Sequence, residues 1–233
     1  PPTSSSTDAR FLERLRIFEG LDQTQLEEMA RIARIVRFPA GSFLFQRGQK
    51  KSEIYAVLEG LVKRTIESDT GRRLILDIVR PGSLCGEASA DPRGTFWRTA
   101  IAATDASVLA WRGKAIAEAI ERIPRIGINL VGIFATECQK IEQRFLEMAT
   151  EPVRQRLARM VLALSRDAKE VPGSRTVIDI PLSRQDLAEM TGTTLFTVSR
   201  ILSTWERAGL VESARLQLVI LDREALERVA HGG

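Results

Sequence analysis

Histidine is almost absent from this sequence of 233 residues, because its one histidine, His231, is the third residue from the end. This scarcity excludes Ser-His-Asp and Cys-His catalysis and imidazole-bound zinc. The two cysteines, Cys85 and Cys138, lie far apart and provide neither a disulfide framework nor the spacing of a zinc site. Since no phosphate-binding loop occurs either, we expect a protein that is not an enzyme.

Long apolar runs are also missing. No stretch of eighteen apolar residues occurs, so the sequence predicts no membrane-spanning helix and no membrane partner. The polar tail at residues 1–8 lacks the charged and apolar blocks of a signal peptide. We therefore expect a cytoplasmic protein.

The excess of positive charge is small. A net charge of +4 and a pI near 9.4 mildly favour an anionic partner such as nucleic acid. Residues 151–233 carry 12 Arg and Lys against 11 Asp and Glu, so this segment is nearly neutral. An argument for DNA binding must therefore depend on where the charges lie.

The hydrophobic pattern changes twice along the chain. Residues 8–34 have helical spacing, whereas residues 36–112 contain short alternating runs separated by turn residues such as Pro81-Gly82. Roughly eight short strands at this spacing predict an antiparallel jelly roll. Helical spacing returns at residues 113–123, and Pro124 suits the first turn of a longer helix.

Residues 124–150 carry an apolar repeat with alternating spacings of four and three, as in a coiled coil. Its members on the predicted dimer seam are Val131, Phe134, Cys138, Ile141, Phe145 and Met148. The alternative is a helix that packs on its own domain. Such packing would need only a wider apolar stripe and no regular repeat. For Cys138 the alternatives are an intersubunit disulfide and a buried reduced thiol. Pro152 ends this segment.

Residues 182–205 have the pattern of a helix-turn-helix. Ser183 and Asp186 have the spacing of a capping box, and Gly192 suits the left-handed position that ends the first helix. Thr194 can cap a second helix whose inward face contains Val198 and Trp205.

The placement of charge around the second helix favours DNA. No acidic residue lies between Glu189 and Glu206, so this helix can enter a major groove without repulsion. The run from Leu210 to Ile220, with a turn at Ala214-Arg215, predicts a β-hairpin wing. The candidate DNA-binding residues are Ser183, Arg184, Gln185, Thr194, Leu195, Phe196, Thr197, Ser199 and Arg200.

The order of several short motifs resembles the family of the cAMP receptor protein and the fumarate-nitrate reductase regulator (CRP/FNR). The motifs are Phe18-Glu19-Gly20-Leu21, Pro39-Ala40-Gly41, Leu58-Glu59-Gly60, Pro81-Gly82, Gly86-Glu87, Arg98-Thr99-Ala100, Leu182-Ser183-Arg184-Gln185-Asp186-Leu187-Ala188 and Thr197-Val198-Ser199-Arg200. The resemblance covers essentially residues 9–230. It implies an α+β fold with a sensory β-roll domain at 9–123, a dimerisation helix at 124–150 and a winged helix-turn-helix domain at 151–233.

The resemblance also implies function. Family members bind a roughly palindromic DNA operator as homodimers, and RNA polymerase is a further partner to consider. Arg200 would contact a base of the operator. Ser199 beside it resembles the residue found in the fumarate-nitrate regulator branch of the family. Where many relatives carry a base-reading glutamate, this chain has Phe196, which cannot accept a hydrogen bond from cytosine but could contact a thymine methyl. We therefore do not assume that this chain recognises the operator half-site that is usual in the family.

The resemblance suggests an effector pocket bracketed by Gly86, Glu87, Arg98 and Thr99. The alternative is that Glu87 and Arg98 simply pair with each other. The sequence disfavours cAMP as the effector. In cAMP-binding members a hydroxyl residue on the dimerisation helix would touch the adenine, and this chain has Ile141 and Glu142 at that place. Two cysteines disfavour an iron–sulfur cluster, and histidine-ligated haem is excluded, whereas haem ligated by Cys85 stays open.

Two other functions remain as alternatives. One is a DNA-binding regulator that needs no ligand and uses the roll only as a scaffold. The other is a cyclic-nucleotide-binding regulatory protein that does not bind DNA, which would lack the wing and the acid-free helix of segment 182–221.

Overall fold

The computed structural model describes residues 9–86, 94–165, 170–171, 175–214 and 216–232. The chain divides into two compact units. The first contains the residues up to Ile66 together with Leu76–Gln139, and the second contains Glu67–Ile75 and Lys140–Gly233. The hairpin tip at 67–75 thus belongs to the same unit as the C-terminal helices.

Among the described residues, eight strands form the jelly roll that the sequence predicts, and all of their residues except 67 and 73–75 lie in the first unit. The strands are β1 (Arg34–Phe38), β2 (Phe43–Phe45), β3 (Glu53–Glu59), β4 (Val62–Glu67), β5 (Arg73–Val79), β6 (Leu84–Cys85), β7 (Thr99–Ala102) and β8 (Ala106–Arg112). They form two four-stranded sheets with the orders β1-β8-β3-β6 and β2-β7-β4-β5. The strand pairs β1–β8, β3–β8, β3–β6, β2–β7 and β4–β7 are antiparallel, for example with Val57 opposite Val108.

The roll has two apolar cores because the side chains of a strand alternate between its two faces. On β3, Tyr55 and Val57 point to a core shared by strands of both sheets. Ile54 and Ala56 point to a second core, which is shared with the helices. Trp111 lies in this second core, where its indole Nε1 donates to the Met29 carbonyl oxygen at 2.9 Å.

Helices cover one face of the roll. They are α1 (Ala9–Leu12), a 3₁₀ turn (Arg16–Phe18), α2 (Gln23–Arg31), α3 (Gly113–Arg122) and the first part of α4 (Pro124–Thr150). Asp22 and Gln25 form a reciprocal capping box at the start of α2. Pro124 opens α4, and Ile126 is buried in the second core. The helices predicted at 113–123 and 124–150 are confirmed.

The second unit contains the winged helix-turn-helix. Its elements are α5 (Val153–Leu164), β9 (Glu170–Val171), β10 (Arg175–Ile178), α6 (Arg184–Thr191), α7 (Leu195–Arg207), β11 (Val211–Ala214), β12 (Gln217–Ile220) and α8 (Arg223–Ala230). The predicted fold class is therefore confirmed.

Two details of the wing differ from the prediction. The predicted hairpin β11–β12 is part of a four-stranded sheet with the order β11-β12-β10-β9, and β9 and β10 were not predicted. Ala214 ends β11 and does not lie in the turn, and Arg215 is outside the described residues. Leu216 lies in the turn with φ of +61°, so β12 begins at Gln217. Among the described residues, no helix has the length and apolar character to cross a membrane.

The turn between β3 and β4 contains a close backbone contact whose effect on the stability of the roll can be tested. Gly60 has φ of +80°, and a Cβ at this position would lie 2.2 Å from the Asp105 carbonyl oxygen. Gly41 has φ of +82° but no atom within 4 Å of the corresponding position. We expect Gly41→Ala to lower the free energy of unfolding by about 1–2 kcal/mol, the usual cost of the left-handed conformation. Gly60→Ala should cost roughly 2–4 kcal/mol, because the backbone must also move.

Urea unfolding of the two variants measures both values. Equal losses for Gly60→Ala and Gly41→Ala would contradict the close backbone contact at Gly60.

Candidate nucleic-acid interface

Reciprocal hydrogen bonds fix the start of α6. The Ser183 hydroxyl accepts from the Asp186 amide at 3.0 Å, and the Ser183 amide donates to Asp186 Oδ2 at 2.8 Å. This is the predicted capping box, which satisfies two amide groups that a helix start leaves without partners. Leu187, Ala188 and Met190 are buried, as their spacing predicts.

The turn between α6 and α7 has the predicted glycine. Gly192 has φ of +65° and ends α6, and its amide donates to the Ala188 carbonyl oxygen. The hydroxyl of Thr194 then accepts from the Thr197 amide at 3.2 Å and caps α7. The terminal methyl group of Met148 lies close to this turn. If residue 192 carried a side chain, its Cβ would be only 2.6 Å from this methyl group.

Helix α7 has two distinct faces. Val198, Leu202 and Trp205 are at most 1% exposed and anchor its inner side. Phe196 and Arg200, which are one helical turn apart, are exposed on the outer side. Within the described part of the chain, no carboxylate forms an ion pair with the Arg200 guanidinium. Helix α7 therefore presents a cation and an aromatic ring to solvent.

The predicted DNA-binding residues fall into two groups. The side chains of Ser183, Gln185, Thr194 and Thr197 already have hydrogen-bond partners inside the chain. Leu195, Phe196 and Arg200 are exposed on α7, and Ser199 is half-buried. The hydrogen bonds of the first group lie within α6 and its cap or within the first turn of α7, whereas the exposed members can contact another molecule.

Arg184 links α6, α7 and the wing. Its Nη2 donates to the Ser213 hydroxyl at 2.9 Å and lies 3.3 Å from Glu206 Oε1. The Ser213 hydroxyl also hydrogen-bonds to Glu206. The side chain of Arg184 remains 38% exposed, so one guanidinium both fixes the wing and faces solvent.

The predicted seam residues on α4 are exposed in the single chain. Exposed fractions are 71% for Val131, 54% for Phe134 and 75% for Phe145. Cys138, Ile141 and Met148 are exposed as well. Gly127 fits the same repeat but packs internally, because an ideal Cβ there would lie 3.2 Å from Ile120 Cγ2. A helix that packed only on its own domain would not leave this stripe in water.

The predicted effector positions are only partly described. Gly86 has φ of +112° and lies near the rings of Phe45 and Tyr55. Glu87 is outside the described residues, so the effector pocket stays a prediction and its alternative, a pair between Glu87 and Arg98, stays open. The Thr99 hydroxyl accepts from the Arg47 amide at 3.1 Å. Cys85 is completely buried, and burial raises the pKa of its thiol to about 12, so the unbound thiol is protonated.

The sequence analysis missed a buried ionic cluster in the roll. Arg64 on β4 is 8% exposed, and its guanidinium bonds to Asp77 on β5 and to Glu137 on α4, the latter at 2.7 Å. Burial acts to lower the pKa of Arg64, but its hydrogen bonds and the two carboxylate charges outweigh this effect and raise it. No local sequence pattern predicts the cluster, because its members come from three separate segments.

Among the described residues, no group of three or more His, Cys, Asp or Glu side chains could hold a metal ion.

Models of two protein families match the chain. The Crp-like helix-turn-helix domain matches residues 155–229, which include α6, α7 and the wing. The cyclic nucleotide-binding domain matches residues 35–123, which include the roll.

Individual proteins match over nearly the whole chain. The transcriptional regulator LdrP of Thermus thermophilus is 30% identical over 195 residues, covering 83% of this chain and 95% of that protein. This chain belongs to the CRP/FNR family of transcription regulators. A solved CRP/FNR-family regulator, also from Thermus thermophilus, has a TM-score of 0.71 at 25% identity, covering 85% of this chain and 99% of that one. A CRP-like cAMP-activated global transcriptional regulator of Mycobacterium tuberculosis is 23% identical and covers 94% of this chain and 98% of that protein.

In this CRP/FNR-family chain, arginines also hold the C-terminal end of α6. Arg144 donates to the Met190 carbonyl oxygen, and Arg156 donates to the Thr191 carbonyl oxygen at 3.2 Å. Arg73, from the hairpin tip, pairs with Glu189 at 2.8 Å. Cations at a helix C-terminus stabilise its carbonyl groups. Sequence reasoning missed these contacts because the arginines are distant from α6 in the chain.

The position of Arg184 predicts a contact with DNA phosphate. We expect Arg184→Ala to weaken binding to specific and random duplexes by the same factor and to lower the slope of log K against log salt by about 1. Arg175 is the matched control, because it pairs with Glu212 at 3.2 Å on the wing sheet but was not predicted to bind DNA. Titrations at several salt concentrations measure both slopes. Weaker binding by Arg184→Ala with an unchanged slope would mean that Arg184 acts only through Glu206 and Ser213.

The exposed stripe on α4 predicts that Phe134→Glu separates the dimer. Each copy loses a buried ring and places an unpaired charge in the seam, so the dissociation constant should rise about 1,000-fold or more. Gln143→Glu adds the same charge at an exposed position outside the repeat and should leave the dimer intact. Sedimentation equilibrium measures both constants. A Phe134→Glu dimer as stable as the wild type would exclude this stripe as the interface.

Proposed function

We propose that this chain binds double-stranded DNA as a homodimer at a roughly palindromic operator and regulates transcription there. Each copy inserts α7 into the major groove of one half-site. A DNA-binding regulator acts in the compartment that holds the chromosome, so the proposal includes a cytoplasmic location. RNA polymerase is the partner that the proposal requires for activation.

The outer face of α7 is the observation that carries the proposal. Arg200 is exposed there and has no carboxylate partner among the described residues, and no acidic residue lies between Glu189 and Glu206. A guanidinium in this position can donate two hydrogen bonds to guanine O6 and N7. The buried side chains of Val198, Leu202 and Trp205 support the opposite face. An uncharged-to-positive face on a firmly anchored helix fits a groove lined by phosphates.

The stripe on α4 supports the homodimer. Val131, Phe134 and Phe145 are each more than half exposed in the single chain, and a second copy would bury them. A twofold axis along this helix presents two α7 helices to one face of the duplex. The half-sites should then lie about one helical turn, or about 34 Å, apart.

The roll supports modulation by a small molecule. Residues 35–123 match the cyclic nucleotide-binding domain, and Gly86, Glu87, Arg98 and Thr99 are the proposed effector residues. The proposed effector is not cAMP, because Ile141 and Glu142 occupy the place where a hydroxyl residue would touch the adenine. Absorption spectra and native mass spectrometry of freshly purified protein would detect a retained ligand.

Selection from random duplexes tests the proposed function directly. We expect the full-length protein to enrich a motif with dyad symmetry. If the folded dimer enriches no such motif, operator binding is refuted.

Arg200→Ala tests the role of α7 on the selected operator. We expect a loss of about 1–3 kcal/mol at one base position of each half-site, together with relaxed specificity at that position. Arg207→Ala is the control, because Arg207 lies at the far end of α7 and bonds to Ser203 and Thr204 of its own helix. Binding constants for operators with each base substitution provide the measurement. An equal loss on specific and random DNA would mean that Arg200 contacts phosphate only.

A further inference from the structure

The most exposed apolar side chain on α7 is Phe196, with 76% of its surface in water. It is the second residue of the helix, two positions after the cap formed by Thr194. The Thr194 and Thr197 hydroxyls bond to each other at 2.9 Å, so this turn is ordered by its own contacts and does not need the ring. A large aromatic ring at such a position gains stability only when another molecule covers it.

Phe196 shares a face of α7 with Arg200. The two residues are four positions apart and therefore lie one above the other on the helix surface. Val198, Leu202 and Trp205 occupy the opposite face and are buried. If Arg200 reaches a base edge, Phe196 reaches the same groove about one turn nearer to the N-terminus of α7.

The chemistry of the ring limits what it can recognise there. The major-groove edges of the bases offer hydrogen-bond donors, hydrogen-bond acceptors and one apolar group, the C5-methyl of thymine. A phenyl ring has no hydrogen-bonding group, so the donors and acceptors would lose water against it without compensation. The methyl group alone gains from the contact.

We infer that Phe196 reads a pyrimidine C5-methyl group in each half-site of the operator. This inference rests on the proposed binding of α7 in the major groove and adds a specificity-determining residue to it. Thymine carries this methyl group in ordinary DNA, and 5-methylcytosine carries the same group in methylated DNA. Both bases present it at the same place in the groove.

Uracil substitution isolates the methyl group. Uracil pairs with adenine as thymine does and differs from it by the methyl alone, so each thymine of the selected operator is replaced in turn by uracil. We expect one position in each half-site at which uracil weakens binding of the full-length dimer about fourfold, the value for one buried methyl group. Replacement in both half-sites should weaken binding about fifteenfold.

Two variants assign the effect to Phe196. In Phe196→Ala, the thymine and uracil operators should bind with equal affinity, because the ring that contacts the methyl is gone. Phe43→Ala is the matched control: it removes the same kind of ring from β2 of the roll, where Phe43 is 51% exposed, and it should keep the fourfold discrimination. Circular dichroism checks that both variants keep their helices, which is expected because both side chains are exposed.

A second set of duplexes separates the two sources of the methyl group. The thymine at the sensitive position is replaced by cytosine or by 5-methylcytosine, each paired with guanine. We expect 5-methylcytosine to bind the wild-type protein about fourfold more tightly than cytosine and to give Phe196→Ala no such gain.

The outcomes distinguish this inference from the proposed function. If an operator is enriched but uracil has no effect at any position, or if Phe196→Ala keeps the discrimination, methyl reading is overturned and operator binding stands. If no operator is enriched, both are overturned.

Discussion

Burial of one face of α7 determines which groups the protein can offer to DNA. Val198, Leu202 and Trp205 are at most 1% exposed, and burial of each such side chain contributes about 1.5–3 kcal/mol. Any rotation of α7 about its axis would expose at least one of them. The outward direction of Phe196 and Arg200 is therefore fixed by what lies beneath the helix, before any DNA is bound.

Polar contacts then limit how α6 and the wing can move around that anchor. Ser183 and Asp186 satisfy the start of α6, while Arg144 and Arg156 bond to carbonyl oxygens at its end. Arg184 joins α6 to α7 and to the wing through Glu206 and Ser213. Because these bonds exist in the chain without DNA, binding of a duplex would cost little further ordering of the backbone of α6 and the wing.

The features that the sequence predicted correctly are those with a local cause. The caps at Ser183 and Thr194 need only neighbours three residues away. Strand alternation likewise predicted the roll. Contacts between distant segments were missed: β10 pairs with β12, where Thr176 lies opposite Ile220, and the Arg64 cluster joins two strands and a helix. The repeat on α4 predicted an exposed stripe but could not tell that Gly127 packs on Ile120.

The charge balance of residues 151–233 makes pairing of two copies a thermodynamic requirement for tight binding. With 12 basic and 11 acidic residues in this segment, and with Arg159 and Arg175 already paired with carboxylates, one copy gains little from the release of counterions. In the proposed dimer, two copies joined along α4 would make every contact twice, and the second half-site would bind without a second loss of translational freedom. The proposed seam on α4 would then supply the affinity that charge alone does not, and the outer face of α7 would discriminate between sequences.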